Sequence, residues 1–176
     1  MKVPKPHPPT RTELRAPTKP RSEADAWTLL GLTEHPSPSS DFSVDGIRAQ
    51  ALAHAARVLA GWLLPTATSN AHLVIYDLHV WGSSELPELW RSFTQSHVDH
   101  FSEEHGAWEL RFCGADRGDL SAALALIMMF GWGIAGSDGA SARHIRLDHD
   151  GIVRLWGGSD EDRSQIEQSL SEVGRS

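Results

Sequence analysis

Two runs of alternating residues, Arg143 to Asp148 and Ile152 to Trp156, flank an Asp150-Gly151 step and restrict the fold more than any other feature of the chain. Alternation at a period of two is the signature of a half-buried strand, and Asp-Gly between two such runs marks a hairpin. The register follows from the side-chain pattern. A two-residue loop would pair Leu147 with Arg154 and mix the faces. A three-residue loop, His149-Asp150-Gly151 with Gly151 left-handed, pairs Leu147 with Val153 and Ile145 with Leu155, which leaves one clean apolar face. Antiparallel sheet is therefore expected, and the polar face of the hairpin carries His144, Arg146, Asp148, Arg154 and Trp156.

The rest of the chain is read around that hairpin. His72 to Trp81 predicts a strand with Val74, Tyr76, Leu78 and Val80 on its helix-covered face, so that Asp77, His79 and Trp81 point the other way, although Leu73 and Ile75 also share that side. Trp108, Leu110 and Phe112 mark a second strand that turns Glu109, Arg111 and Cys113 to the same side, and Ile134 and Ala135 begin a short third one. Helices are expected from Glu23 to Leu30 with Ser22 as cap and Gly31 as stop, and from about Val44 to Leu64 before Pro65. Others run from Ser84 to about His100, from Arg117 to Phe130 capped by Asp116, and from Glu161 to Val173 capped by Ser159 or Asp160. The Arg117 helix is apolar around nearly its whole circumference and should lie centrally. The sum is an α+β domain, a two-layer sandwich of a mainly antiparallel sheet of four to five strands with helices on one face.

Composition sets the outer limits. With 176 residues, 40% of them hydrophobic, the chain has material for one sizeable core. Eight of the ten prolines precede residue 39, and residues 1–21 hold six basic groups against Glu13, which reads as a disordered Pro-rich basic leader ahead of a globular domain over 22–176. Ten basic and 22 acidic groups remain for that domain, a balance that repels polyanions and argues against nucleic acid as a partner. No apolar stretch follows Lys2 and the longest apolar run, Leu120 to Gly133, is too short for a bilayer, so no membrane partner and a cytoplasmic location are expected. A single cysteine, Cys113, removes any internal disulfide or Cys-based metal knuckle.

Several motifs suggest chemistry and each has a plainer structural use. His97, His100 and Glu104 share one face if their helix continues, a spacing that can ligate a divalent metal, yet His97 also extends the apolar stripe of Leu86, Leu89, Trp90 and Phe93. Gly131 to Gly136 spells the dinucleotide fingerprint GxGxxG, but a helix precedes it where the fingerprint requires a strand, so these glycines end a helix and allow close packing. No nucleophile elbow, P-loop or other cofactor motif is present, and no cofactor is expected.

Two function classes remain. Arginine and tryptophan are the usual anchors of protein interfaces, and Trp81, His144, Arg146, Arg154 and Trp156 on an open sheet face predict a protein-binding surface. Because Arg146 lies opposite Arg154, that face needs a compensating carboxylate from Glu109, Asp77, Asp148 or a partner. In size, acidity and layout, with no diagnostic motif, the domain resembles bacterial toxin-neutralising immunity proteins, which implies a one-to-one complex with a basic partner protein. The alternative is a metal-independent, ribonuclease-like hydrolase on the same face, with Glu109 or His79 as base, His144 as acid, and Arg111, Arg146 and Arg154 holding a phosphate.

Overall fold

The computed structural model describes residues 23–31, 40–43, 49–77, 98–102, 107–140 and 142–173. In chain order the elements are α1 (Glu23–Leu29), β1 (Ser40–Ser43), α2 (Ala49–Leu63), β2 (Asn70–Asp77), β3 (Val98–Ser102) and β4 (Ala107–Cys113). A 3-10 turn at Gly114–Asp116 leads into α3 (Arg117–Phe130), followed by β5 (Gly133–Asp138), β6 (Arg143–Leu147), β7 (Ile152–Gly157) and α4 (Asp160–Val173). The expected leader, residues 1–21, lies outside the described residues. Among the described residues no helix is long and apolar enough to cross a membrane.

The α+β arrangement holds, and every strand pairing is antiparallel, in the order β1-β7-β6-β5-β2-β4-β3. The sheet thus has seven strands where four to five were expected. The additions are its two ends. β1 has a single apolar residue in Ser-Asp-Phe-Ser and earns its strand by pairing with β7, which local sequence does not disclose. β3 occupies Val98–Ser102, where the helix from Ser84 was expected to finish, and residues 84–97 lie outside the described set.

The hairpin has the argued register: Leu147 pairs with Val153 and Ile145 with Leu155, and Gly151 has φ 72°. The Asp148 carboxylate fastens the turn by accepting the backbone N–H groups of Asp150 (3.1 Å) and Ile152 (3.0 Å).

One face of the sheet supplies Leu73, Ile75, Leu110, Ile134, Ile145, Val153 and Leu155 to a core shared with α2, α3 and α4. The central helix is α2 rather than the expected α3, since α2 packs against both other helices through Ala55, Ala56, Leu59, Ala60 and Leu63, all fully buried. Its alanines permit close approach, whereas α3 turns Met129, 57% exposed, to solvent. Asp116 stands at the N-cap position of α3 as expected, but its side chain makes no capping hydrogen bond to the helix. Its carboxylate instead accepts the Cys113 backbone N–H at 3.0 Å, and the Arg117 guanidinium joins the helix start to the Leu64 carbonyl at the end of α2. Gly131, at φ 64°, ends α3, and β5 then passes so close to its neighbours that a Cβ on Gly136 would sit 2.5 Å from Leu73. At α4, Ser159 and Asp162 exchange hydrogen bonds in a capping box, and those bonds, with Arg143 nearby, hold the Asp162 carboxyl below its ordinary range.

The expectation that helices cover one face alone is corrected by α1. It lies on the opposite face, where Ala26, Trp27 and Leu30 pack against Val74, Tyr76, Ala135 and Trp156. The phase of β2 is accordingly reversed from the expected one: Val74 and Tyr76 face α1 while Leu73 and Ile75 enter the larger core. A central strand buried on both sides reads as a continuous apolar run, and alternation then gives no phase.

Candidate functional site

Antiparallel pairing lines up side chains in rows across the face that bears α1. One row runs Asp41, Arg154, Arg146, Ala135, Val74, Glu109, and the next runs Trp156, His144, Ser137, His72, Arg111. Arg146 does stand directly opposite Arg154, a destabilising pairing without counter-charge. The two cations are drawn to opposite sides. Arg146 reaches Glu23 on α1 at 2.9 Å and Asp148 at 3.8 Å, while Arg154 meets Asp41 on β1 at 3.2 Å. Of the carboxylates expected to compensate, only Asp148 contributes to Arg146. Glu23 and Asp41 come from segments whose placement depends on tertiary contacts.

Arg146 is also a hydrogen-bond neighbour of Tyr76. Burial pushes the Tyr76 hydroxyl pKa up, and the Arg146 hydrogen bond and charge offset part of that rise. Burial works against the Arg146 cation in turn, but the hydrogen bond to Tyr76 and the nearby acidic groups overcome it and hold the guanidinium above its usual value.

Trp27 is the keystone of the aromatic cluster. Its ring stands edge-on to Trp156 (5.2 Å between centroids, 86°) and to His144 (6.2 Å, 86°), and its indole N–H donates to Glu23 one turn earlier at 3.1 Å. Trp156 is only 3% exposed beneath this cluster, so the expected open, tryptophan-rimmed surface is closed here by α1. Two buried donors, Trp156 Nε1 and Arg146 Nε, have no hydrogen-bond acceptor among the described residues. On its hairpin side the face is accessible at Arg154, with its side chain 30% exposed, and at the turn residues His149 and Asp150. His149 sits between Asp77 (3.6 Å) and Asp150 (3.4 Å).

The residues offered for hydrolysis do not converge as a set. Glu109 is buried and pairs with His72 across β2 and β4 at 3.2 Å, a partner that sequence reading passed over. Three strand spacings separate Glu109 from the Arg146 position, about 14 Å at roughly 4.8 Å per strand. His144, one row over on β6, is equally remote from Glu109 and lies against Trp27. Arg111 is exposed beside His72 on the same face. His79 and Trp81 fall outside the described residues.

The helical metal spacing is corrected in the same way. His100 is on strand β3, where i, i+3 and i+7 positions do not share a face, and His97 and Glu104 fall outside the described residues. Among the described residues no group of three or more His, Cys, Asp and Glu side chains is arranged to hold a metal ion. Cys113 is exposed, and its thiol donates to Asp116 at 3.0 Å. Comparison with protein families, with curated proteins and with solved structures finds no match.

Proposed function

We propose that this chain is a small non-catalytic protein of the immunity or antitoxin kind, binding a protein partner through the sheet face that carries His144, Arg146, Arg154 and Trp156. The observation that supports this reading is the pair of buried donors, Trp156 Nε1 and Arg146 Nε, with no acceptor among the described residues. Each such group costs about 1–3 kcal/mol, and phenylalanine would fill the Trp156 position without that cost. Packing alone leaves the Trp156 donor without a role, and the Glu23 ion pair does not use Arg146 Nε, whereas a ligand on this face would engage both. Arg154 and the His149-Asp150 turn offer the accessible approach to it. The excess of acid over base across residues 22–176 favours a basic partner protein.

The test is affinity capture from the native host with the full chain and with two variants, Arg154→Ala and Trp156→Phe. The phenylalanine keeps an aromatic ring, though a smaller one, and deletes the donor. Recovery of one stoichiometric protein that both folded variants lose is the expected result. A partner retained equally by both variants overturns the assignment to this face. The hydrolase reading keeps one supporting observation, the His72–Glu109 pair beside Arg111. RNA and generic ester substrates turned over by the wild type and not by Glu109→Gln would decide for it.

A further inference from the structure

α1 packs on the sheet through a small apolar cluster of its own. Its seven residues fall short of the dozen or so that an isolated helix needs to persist in water, so its helical state depends on docking. Its docking includes the packing of Ala26, Trp27 and Leu30 and the ion pair of Glu23 with Arg146. The cluster they form shares no residue with the larger core on the other face, so α1 can leave while that core stays closed. Beneath it Trp156 Nε1 and Arg146 Nε find no acceptor among the described residues. With α1 absent, the carboxylate left to Arg146 among the described residues is the more distant Asp148, against the facing Arg154.

We infer that α1 is an exchangeable internal ligand of this face, occupying the place of a partner segment that presents a carboxylate one turn before an indole, as Glu23 and Trp27 do. The inference rests on the protein-binding reading and adds the chemistry of the docked segment to it. The positive pair of Arg146 and Arg154, uncovered when α1 leaves, selects an acidic segment within a partner that is basic overall. The aromatic slot between Trp156 and His144 selects an edge-on ring. While α1 is docked, its effective concentration, on the order of millimolar for a short tether, excludes a weak competitor and admits a strong one.

The probe is a fluorescent peptide spanning Ser22 to Thr33, titrated into the purified full chain. The Trp27→Ala chain, whose own α1 is weakened, should bind the peptide at least about tenfold more tightly than wild type, as expected when an internal competitor is removed. The same peptide carrying Trp27→Ala, or Glu23→Gln, should lose most of that affinity. If the Trp27→Ala chain does not fold, Glu23→Lys loosens α1 without touching the core and takes its place. Equal binding to both chains, or no saturable binding to a folded variant, overturns exchange. A concentration-dependent wild-type dimer that vanishes in Trp27→Ala would reassign the slot to α1 of a second copy and overturn the partner-segment assignment. The two readings fail separately. No peptide binding with partner capture still dependent on Arg154 removes exchange alone, while peptide binding with capture indifferent to Trp156→Phe removes the partner reading alone.

Discussion

Replacing Trp27 by alanine should lower global stability far less than the burial of its ring suggests. Trp27, Leu30, Ala26 and the sheet atoms they cover remove on the order of 450 Å² of apolar surface from water, about 11 kcal/mol at 25 cal/mol per Å². Ordering the seven residues of α1 costs about 9 kcal/mol, which leaves a docking free energy of about 2 kcal/mol. The alanine variant forfeits about 5 kcal/mol of burial, so α1 undocks and the measurable loss is capped at the roughly 2 kcal/mol that docking contributed. Trp62 provides the contrast. It lies in the larger core with its indole N–H on the His144 carbonyl, and Trp62→Ala should cost about 3–5 kcal/mol. Urea unfolding of the two variants measures both losses, and hydrogen exchange should show the α1 amides unprotected in Trp27→Ala while those of β5 and β6 remain slow. A loss of about 3–5 kcal/mol for Trp27→Ala, matching Trp62→Ala, would refute the reasoning and make α1 an integral layer.

The remaining expectations are simpler. The Tyr76 hydroxyl has a folded pKa above its ordinary 10.0, so its contribution to stability is fully present below pH 10 and lost as pH rises through the folded value; unfolding midpoints taken across that range should fall more steeply in wild type than in Tyr76→Phe. Asp41→Ala should cost up to about 1 kcal/mol because it leaves Arg154 facing Arg146, whereas Arg154→Ala removes that repulsion and should be nearly neutral, an ordering that thermal denaturation can check. Gly136→Ala should destabilise by about 1–3 kcal/mol, read from its urea midpoint, because the new Cβ meets Leu73 at 2.5 Å and Ile145 at 3.0 Å within a filled core.

What the sequence discloses here follows the range of the forces involved. The hairpin register was legible because one residue of slippage would carry Ile145, Leu147, Val153 and Leu155 to the wrong face, a penalty written locally in the pattern. The Arg117–Phe130 helix and its Gly131 stop were legible for similar local reasons. β1 was not, because Ser-Asp-Phe-Ser becomes a strand only against β7. The site was legible in half. The clash of Arg146 with Arg154 announced that counter-charge was required, but Glu23 and Asp41 come from 113 or more residues away and nothing near either arginine names them. The same distance concealed α1 as a cover: a seven-residue helix with Glu23 and Trp27 at i, i+4 reads as self-contained, and the indole does donate to that carboxylate.

The closure of this face across such a span has a bearing on synthesis. Trp27 and Asp41 leave the ribosome long before β6 and β7, on which they pack, and at about 5–20 residues per second the interval is roughly 6–25 s. Throughout it a lone indole and an unpaired strand segment travel on the nascent chain without their docking surface. The hairpin that supplies that surface is itself local and quick to form once made, on the order of microseconds. Final assembly of this side of the molecule is therefore timed by translation of β6 and β7, and a holdase recognising exposed aromatic segments would meet its target at α1.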